Sequence, residues 1–98
     1  MSDEPIEDWD AYVLDFGIRL HRARTEAAMT QEDLAHAAGI TRSHYQQLEK
    51  GLSRPGKAAN PSLRTIAGLA SVLGLQPHDL IPHLGDQHPQ TDQNRAAS

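Results

Sequence analysis

The stretch Thr30 to Gly51, TQEDLAHAAGITRSHYQQLEKG, constrains the fold more than any other part of the chain. Thr30 stands where a helix N-cap would, with Asp33 three residues on, close to a capping box. Gln31 to Ala38 then reads as a short helix with Leu34, Ala35 and Ala38 on its inner face. Gly39, able to take the left-handed conformation, stops it. Thr41 is the next N-cap, and Arg42 to Lys50 forms a second short helix with Tyr45 and Leu48 turned inward. Gly51 ends it. Two helices this short, joined this tightly, must cross at close range. Ala35 therefore has to be small, Gly39 has to accept a positive φ, and Leu34, Ile40, Tyr45 and Leu48 have to be apolar to set the crossing angle.

The flanks supply further helices. Trp9, Tyr12, Val13, Phe16 and Leu20 fall at helical spacing and predict a first helix from about Asp10 to Ala27. Pro61-Ser62 opens another, Leu63 to about Leu73, with Leu63, Ile66, Ala67, Leu69, Ala70 and Leu73 as its apolar set and Gly74 as its C-cap. Pro77-His78 begins a short fifth helix ending near Leu84, with Pro82 either in its first turn or breaking it. Residues 51–60 read as a loop by composition, and no strand pattern or repeat is apparent. The expected class is all-α. The layout is a flexible acidic arm over 1–8, one helical domain over 9–84 and a disordered polar tail over 85–98.

Composition narrows the function classes. At 98 residues there is room for one domain and none for a separate catalytic one. With no cysteine, disulfides, thiol catalysis and cysteine zinc sites are excluded. No apolar run approaches the roughly 20 residues of a membrane helix, and the acidic Met1-Ser2-Asp3-Glu4 start is unlike a signal peptide, so a cytoplasmic location is expected. His78, His83 and His88 are five apart, not at the spacing that puts two ligands on one helical face, so no metal site is expected. No catalytic triad or phosphate-cradling glycine loop is ordered along the chain. Neither an enzyme nor a cofactor is expected. The net charge of −4 conceals a segregation. Residues 1–16 hold six acids and no base, whereas residues 17–74 carry eight bases against Glu26, Glu32, Asp33 and Glu49. Such a patch is either a surface for DNA, which responds to local potential and not to the total, or an ordinary solvated surface, and charge alone is compatible with both.

The spacing over Thr30 to Gly51 is that of a helix-turn-helix, whose second helix enters the major groove. Together with NPSLRTIAGLASVLGL after it, the stretch resembles the Cro/CI-type (Xre) helix-turn-helix family over about residues 14–84. The resemblance rests on the Thr-Gln opening, the Ala and Gly of the motif, the Leu-Glu-Lys-Gly ending and the Asn-Pro-Ser-Leu that follows. It implies a five-helix, lambda-repressor-like domain. It also implies that Gln31 touches a DNA phosphate, where a helix N-terminus favours an anion. Arg42, Ser43 and Gln47, flanked by Thr41 and Gln46, are expected to read base edges, since Arg suits guanine and Gln adenine. His44, Lys50, Arg54, Lys57 and Asn60 are candidates for phosphate contacts, giving affinity and salt dependence without sequence preference. The resemblance further implies a structural ion pair between Arg24 and Glu49.

Two features depart from the family pattern. The 51–60 loop is longer than usual before Asn-Pro, so it either lies along the phosphate backbone, reaches the minor groove or is a tolerated insertion. The first helix is also extended through Trp9, Tyr12 and Val13, which either cap the core or build a dimer surface. Leu80 is expected in the core, with Ile81 and Leu84 assigned to a dimer interface. The resulting expectation is a sequence-specific transcriptional regulator acting as a homodimer on a palindromic operator of double-stranded DNA. The alternative is a protein-interaction module on the same fold, an antitoxin or adaptor, with a protein partner on the N-terminal arm.

Overall fold

A computed structural model describes residues 8–54 and 56–84. The expectations for the N-terminal arm up to residue 7 and for the 85–98 tail lie outside the described residues. The elements run α1 (Trp9–Glu26), α2 (Gln31–Ala38), α3 (Arg42–Lys50), β1 (Leu52–Arg54), β2 (Lys57–Ala58), α4 (Leu63–Leu73) and α5 (Pro77–Leu80).

Local chemistry sets most of these boundaries. The side chains of Thr30, Thr41 and Ser62 each accept a hydrogen bond from the backbone N–H three residues on, at Asp33, His44 and Thr65, satisfying one of the unpaired donors of the first turn. Asp8 does the same for α1 from Ala11. At the turn between α2 and α3, Gly39 has φ +78° and its N–H closes back on the last turn of α2.

Each helix gives one face to a shared core: Val13, Phe16 and Leu20 from α1, Leu34 and Ala35 from α2, Tyr45 and Leu48 from α3, Leu69 and Ala70 from α4, and Leu80 from α5. The extension of α1 belongs to this core. Val13 is buried, and the Trp9 indole and Tyr12 hydroxyl donate to the carbonyls of Ala59 and Pro82 at 2.8 and 2.6 Å.

Three expectations are corrected. The 51–60 segment is not a plain loop: β1 and β2 pair antiparallel, Leu52 with Ala58 and Arg54 with Lys57, with an irregularity between. The pair is too short to produce an alternating apolar pattern, so periodicity could not reveal it. The last helix ends at Leu80, not near Leu84. Pro82 disfavours the helical conformation in the residue before it, and Ile81 accordingly sits at φ −89°, ψ 125°. Leu63 is on the apolar stripe of α4 by spacing but is 72% exposed. The stretch of α4 that enters the core is further along, at Leu69 and Ala70.

Candidate nucleic-acid interface

On a helix of 3.6 residues per turn, Ser43, Gln47 and Lys50 lie opposite the buried pair Tyr45 and Leu48. Because α3 packs into the core through Tyr45 and Leu48, that opposite face is turned out of the domain. Arg42, Ser43, Gln47 and Lys50 make no side-chain hydrogen bond or ion pair among the described residues. Arg42, Ser43 and Lys50 are exposed and Gln47 is half-buried. Arg42 also lines a shallow groove with Arg24, Thr30, Gln31 and Glu32, at the beginning of α2.

The remaining expected residues are more constrained. The Thr41 hydroxyl accepts from the His44 N–H at 3.0 Å as the α3 cap. His44 is exposed. The Gln46 amide donates to the Gln31 side-chain oxygen at 3.2 Å, and the Gln31 amide in turn donates to Glu49 at 3.0 Å. Two of the four hydrogen-bonding positions on the Gln31 amide are thereby taken within the protein, leaving one N–H and one lone pair for a ligand. Arg54 and Lys57 are exposed on the strand pair, and Asn60 is exposed just beyond it. Lys50, Gln31 and Gln46 line one further groove together with Ile18, His21 and Glu49.

Behind this face lies a polar hub. Glu49 accepts from Arg24 Nε at 2.7 Å, from Gln31 at 3.0 Å and from the Tyr45 hydroxyl, while His21 Nδ1 lies 3.2 Å from it. Arg24 also donates to the Met29 carbonyl at 2.9 Å, tying the α1–α2 connection to the same group. The ion pair expected from the family resemblance is therefore present, with side-chain exposures of 12% and 8%. Burial works against ionisation of Glu49, but the hydrogen bonds from Arg24, Tyr45 and Gln31, with the His21 ring nitrogen beside them, outweigh it and hold its carboxyl down at about 2. Burial and the hydrogen bond to Glu49 push the Tyr45 phenol above its ordinary range.

Sequence reasoning treated Tyr45 as simply apolar and so missed half of this hub. The signal was available: Tyr45 and Glu49 are four apart on one helix and share a side. The bond from Gln31 to Glu49 had no local signal, because it joins residues on different helices.

A family model described as a helix-turn-helix domain matches residues 15–84. The HTH-type transcriptional regulator DdrOP3 of Deinococcus deserti is 38% identical over 72 residues, covering 70% of this chain and 51% of that protein. The chain spans about half the length of the curated relatives it matches. Among solved structures, the restriction-modification controller protein C.AhdI of Aeromonas hydrophila is 37% identical with a TM-score of 0.64, covering 72% of this chain and 98% of that one. SinR, a master regulator for biofilm formation solved in complex with DNA, is 26% identical with a TM-score of 0.58, covering 66% of this chain and 95% of that one. Among the described residues no helix is long and apolar enough to cross a membrane.

Proposed function

The chain belongs to the helix-turn-helix domain family, of the Cro/CI (Xre) type, and from that premise we propose that it regulates transcription by binding duplex DNA in a sequence-specific manner. The observation that carries this reading is the outward face of α3. Among the described residues Arg42, Ser43, Gln47 and Lys50 are polar side chains without a side-chain partner, on a helix packed into the core through Tyr45 and Leu48. A helix of this diameter fits the major groove, where Arg42 would pair with guanine O6/N7 and Gln47 with adenine N6/N7, with Thr41, Ser43 and Gln46 beside them. Gln31, His44, Lys50, Arg54, Lys57 and Asn60 would hold phosphates and set the register.

The relatives support the same reading. DdrOP3 is a transcriptional regulator by name, and SinR was solved on DNA. The reading includes a homodimer on a palindromic operator. The nine residues of α3 reach only a few base pairs, and two copies one helical turn apart, roughly 34 Å, would double the readout. The half-exposed Leu84 and partly exposed Ile81 offer apolar surface for such a contact.

Selection from a pool of random duplex DNA at two salt concentrations tests this. Recovery of an inverted repeat with half-sites about one turn apart supports a dimeric regulator. A single enriched half-site keeps sequence-specific binding and removes the palindrome. Absence of enrichment and of salt-sensitive binding overturns the reading and leaves the protein-interaction alternative, to be sought as a partner of the N-terminal arm.

A further inference from the structure

Two features of this chain, the strand pair after α3 and the extended start of α1, are joined in the structure. The Trp9 indole donates to the carbonyl of Ala59, the residue that follows β2, at 2.8 Å. Ala59 is 1% exposed, and its own N–H closes onto the Gly51 carbonyl at 2.9 Å, so the two ends of the hairpin are tied together at the core. Gly51 lies so close to α1 that a Cβ there would come within 3.0 Å of the Leu14 Cα. Trp9 is itself held from behind. Its ring stacks on Tyr12 with centroids 5.7 Å apart, and Tyr12 is anchored by its bond to the Pro82 carbonyl.

A two-stranded hairpin of this length is not stable by itself in water. Its cross-strand pairing is also locally unfavourable, because Arg54 sits directly opposite Lys57. Neither cation has an acidic partner among the described residues. The chain thus braces from the core a short hairpin whose far end presents two like charges side by side. Among the described residues nothing offsets the repulsion between these two charges, whereas a polyanion beside them would. β1 begins two residues after Lys50, the last residue of the outward face of α3, so the two surfaces are continuous along the chain.

We propose that the hairpin is a wing that holds the phosphate backbone of the duplex beside the groove α3 enters, and that Trp9 is the positioning residue that fixes the wing against the core. The proposal rests on the DNA-binding reading above and deepens it. It explains the long loop and the long first helix as one device: the extension of α1 exists to hold the insertion in place.

The test is binding to mixed-sequence duplex DNA as a function of salt, for the parent, Arg54→Ala/Lys57→Ala, Trp9→Phe and the triple combination. Trp9→Phe keeps a ring and removes the N–H donor. Each cation on a phosphate contributes about 0.9 to the slope of log affinity against log salt, so the double variant should flatten that slope by about 2. Trp9→Phe should weaken binding about two- to tenfold, the range expected from one lost hydrogen bond, and should have no further effect once Arg54 and Lys57 are gone. If the double variant keeps the parent's slope, the wing is not on DNA, while a steep parent slope leaves the DNA-binding reading standing. If the parent shows no salt-dependent binding, both fall. If Trp9→Phe costs the same with and without the two cations, Trp9 only supports the fold and the positioning role is wrong. Trp9 is the only tryptophan in the chain, which provides an independent measurement should Trp9→Phe fold poorly. Its emission should shift on DNA addition in the parent and not in Arg54→Ala/Lys57→Ala, and an unchanged parent spectrum counts against the proposal.

Discussion

The carboxylate of Glu49, near the end of α3, accepts a hydrogen bond at 3.0 Å from the side-chain amide of Gln31, the first residue of α2. This bond makes the beginning of one helix depend on the last turn of the other. Gln31 then takes a second bond from Gln46 at 3.2 Å, so its amide is oriented before any ligand arrives. A side chain whose rotamers are already restricted loses less entropy on binding. The hub behind the outward face of α3 therefore holds the helices together and fixes the orientation of the Gln31 amide.

Replacing the acceptor should show how much the hub contributes to holding the helices together. Glu49→Gln leaves Arg24, only 12% exposed, without its counter-charge, and breaking such a pair costs about 3 kcal/mol. Tyr45→Phe removes one donor and should cost about 1–2 kcal/mol. Urea denaturation of the two variants checks this, and a loss below about 0.5 kcal/mol for Glu49→Gln would mean the hub is not structural.

The same group sets a pH dependence. The folded protein holds Glu49 at about 2, below its ordinary 4.5. Its contribution to stability is therefore complete above about pH 4.5 and is lost as the pH falls from there through about 2. Thermal midpoints of parent and Glu49→Gln should differ by a constant amount above pH 5 and converge on acidification. A gap that stays constant down to pH 2 would contradict the shift.

Gly17 offers a test in which two effects oppose each other. Alanine is the better helix former by about 1 kcal/mol, and Gly17 lies inside α1. A Cβ there would, however, meet the backbone oxygens of Glu49 and Leu48 at 2.5 and 2.7 Å. Those atoms belong to the end of α3 and cannot rotate away, so the overpacking cost of about 1–3 kcal/mol should prevail. Gly17→Ala is expected to lower stability and, by displacing α3, to weaken DNA binding. A more stable variant would show that the helices can separate there without cost.

Arg42→Ala and Gln47→Ala should behave in the opposite way. Neither side chain has a partner among the described residues, so the thermal midpoint should hardly change. On a selected operator, each should relax preference at one position per half-site, at about 1–3 kcal/mol. Uniform weakening across all sequences would reassign the residue from base reading to a phosphate contact.

What could be read in advance follows from the range over which the causes act. The bounds of α2 and α3 were legible because caps and glycine stops work within a few residues: Thr30, Gly39, Thr41 and Gly51 each act on backbone groups in their own turn. The early end of α5 was legible too, in the effect of Pro82 on Ile81, but the apolar spacing of Leu80, Ile81 and Leu84 suggested a longer helix. The Arg24–Glu49 pair came from the family resemblance and not from the spacing of its members.

The sequence by itself determined the helical periodicity, the stops and starts, and which face of α3 is turned outward, since all of these depend on neighbours within a turn or two. Only the tertiary structure decided that Trp9 braces the hairpin through Ala59, that Tyr45 and Gln31 converge on Glu49, and that Leu63 is left in solvent. Trp9 and Ala59 are separated by fifty residues and Gln31 and Glu49 by eighteen. No local rule brings such residues together. They meet because burying the apolar faces of the helices in one core leaves few ways to arrange them, and the polar contacts form where that arrangement puts them.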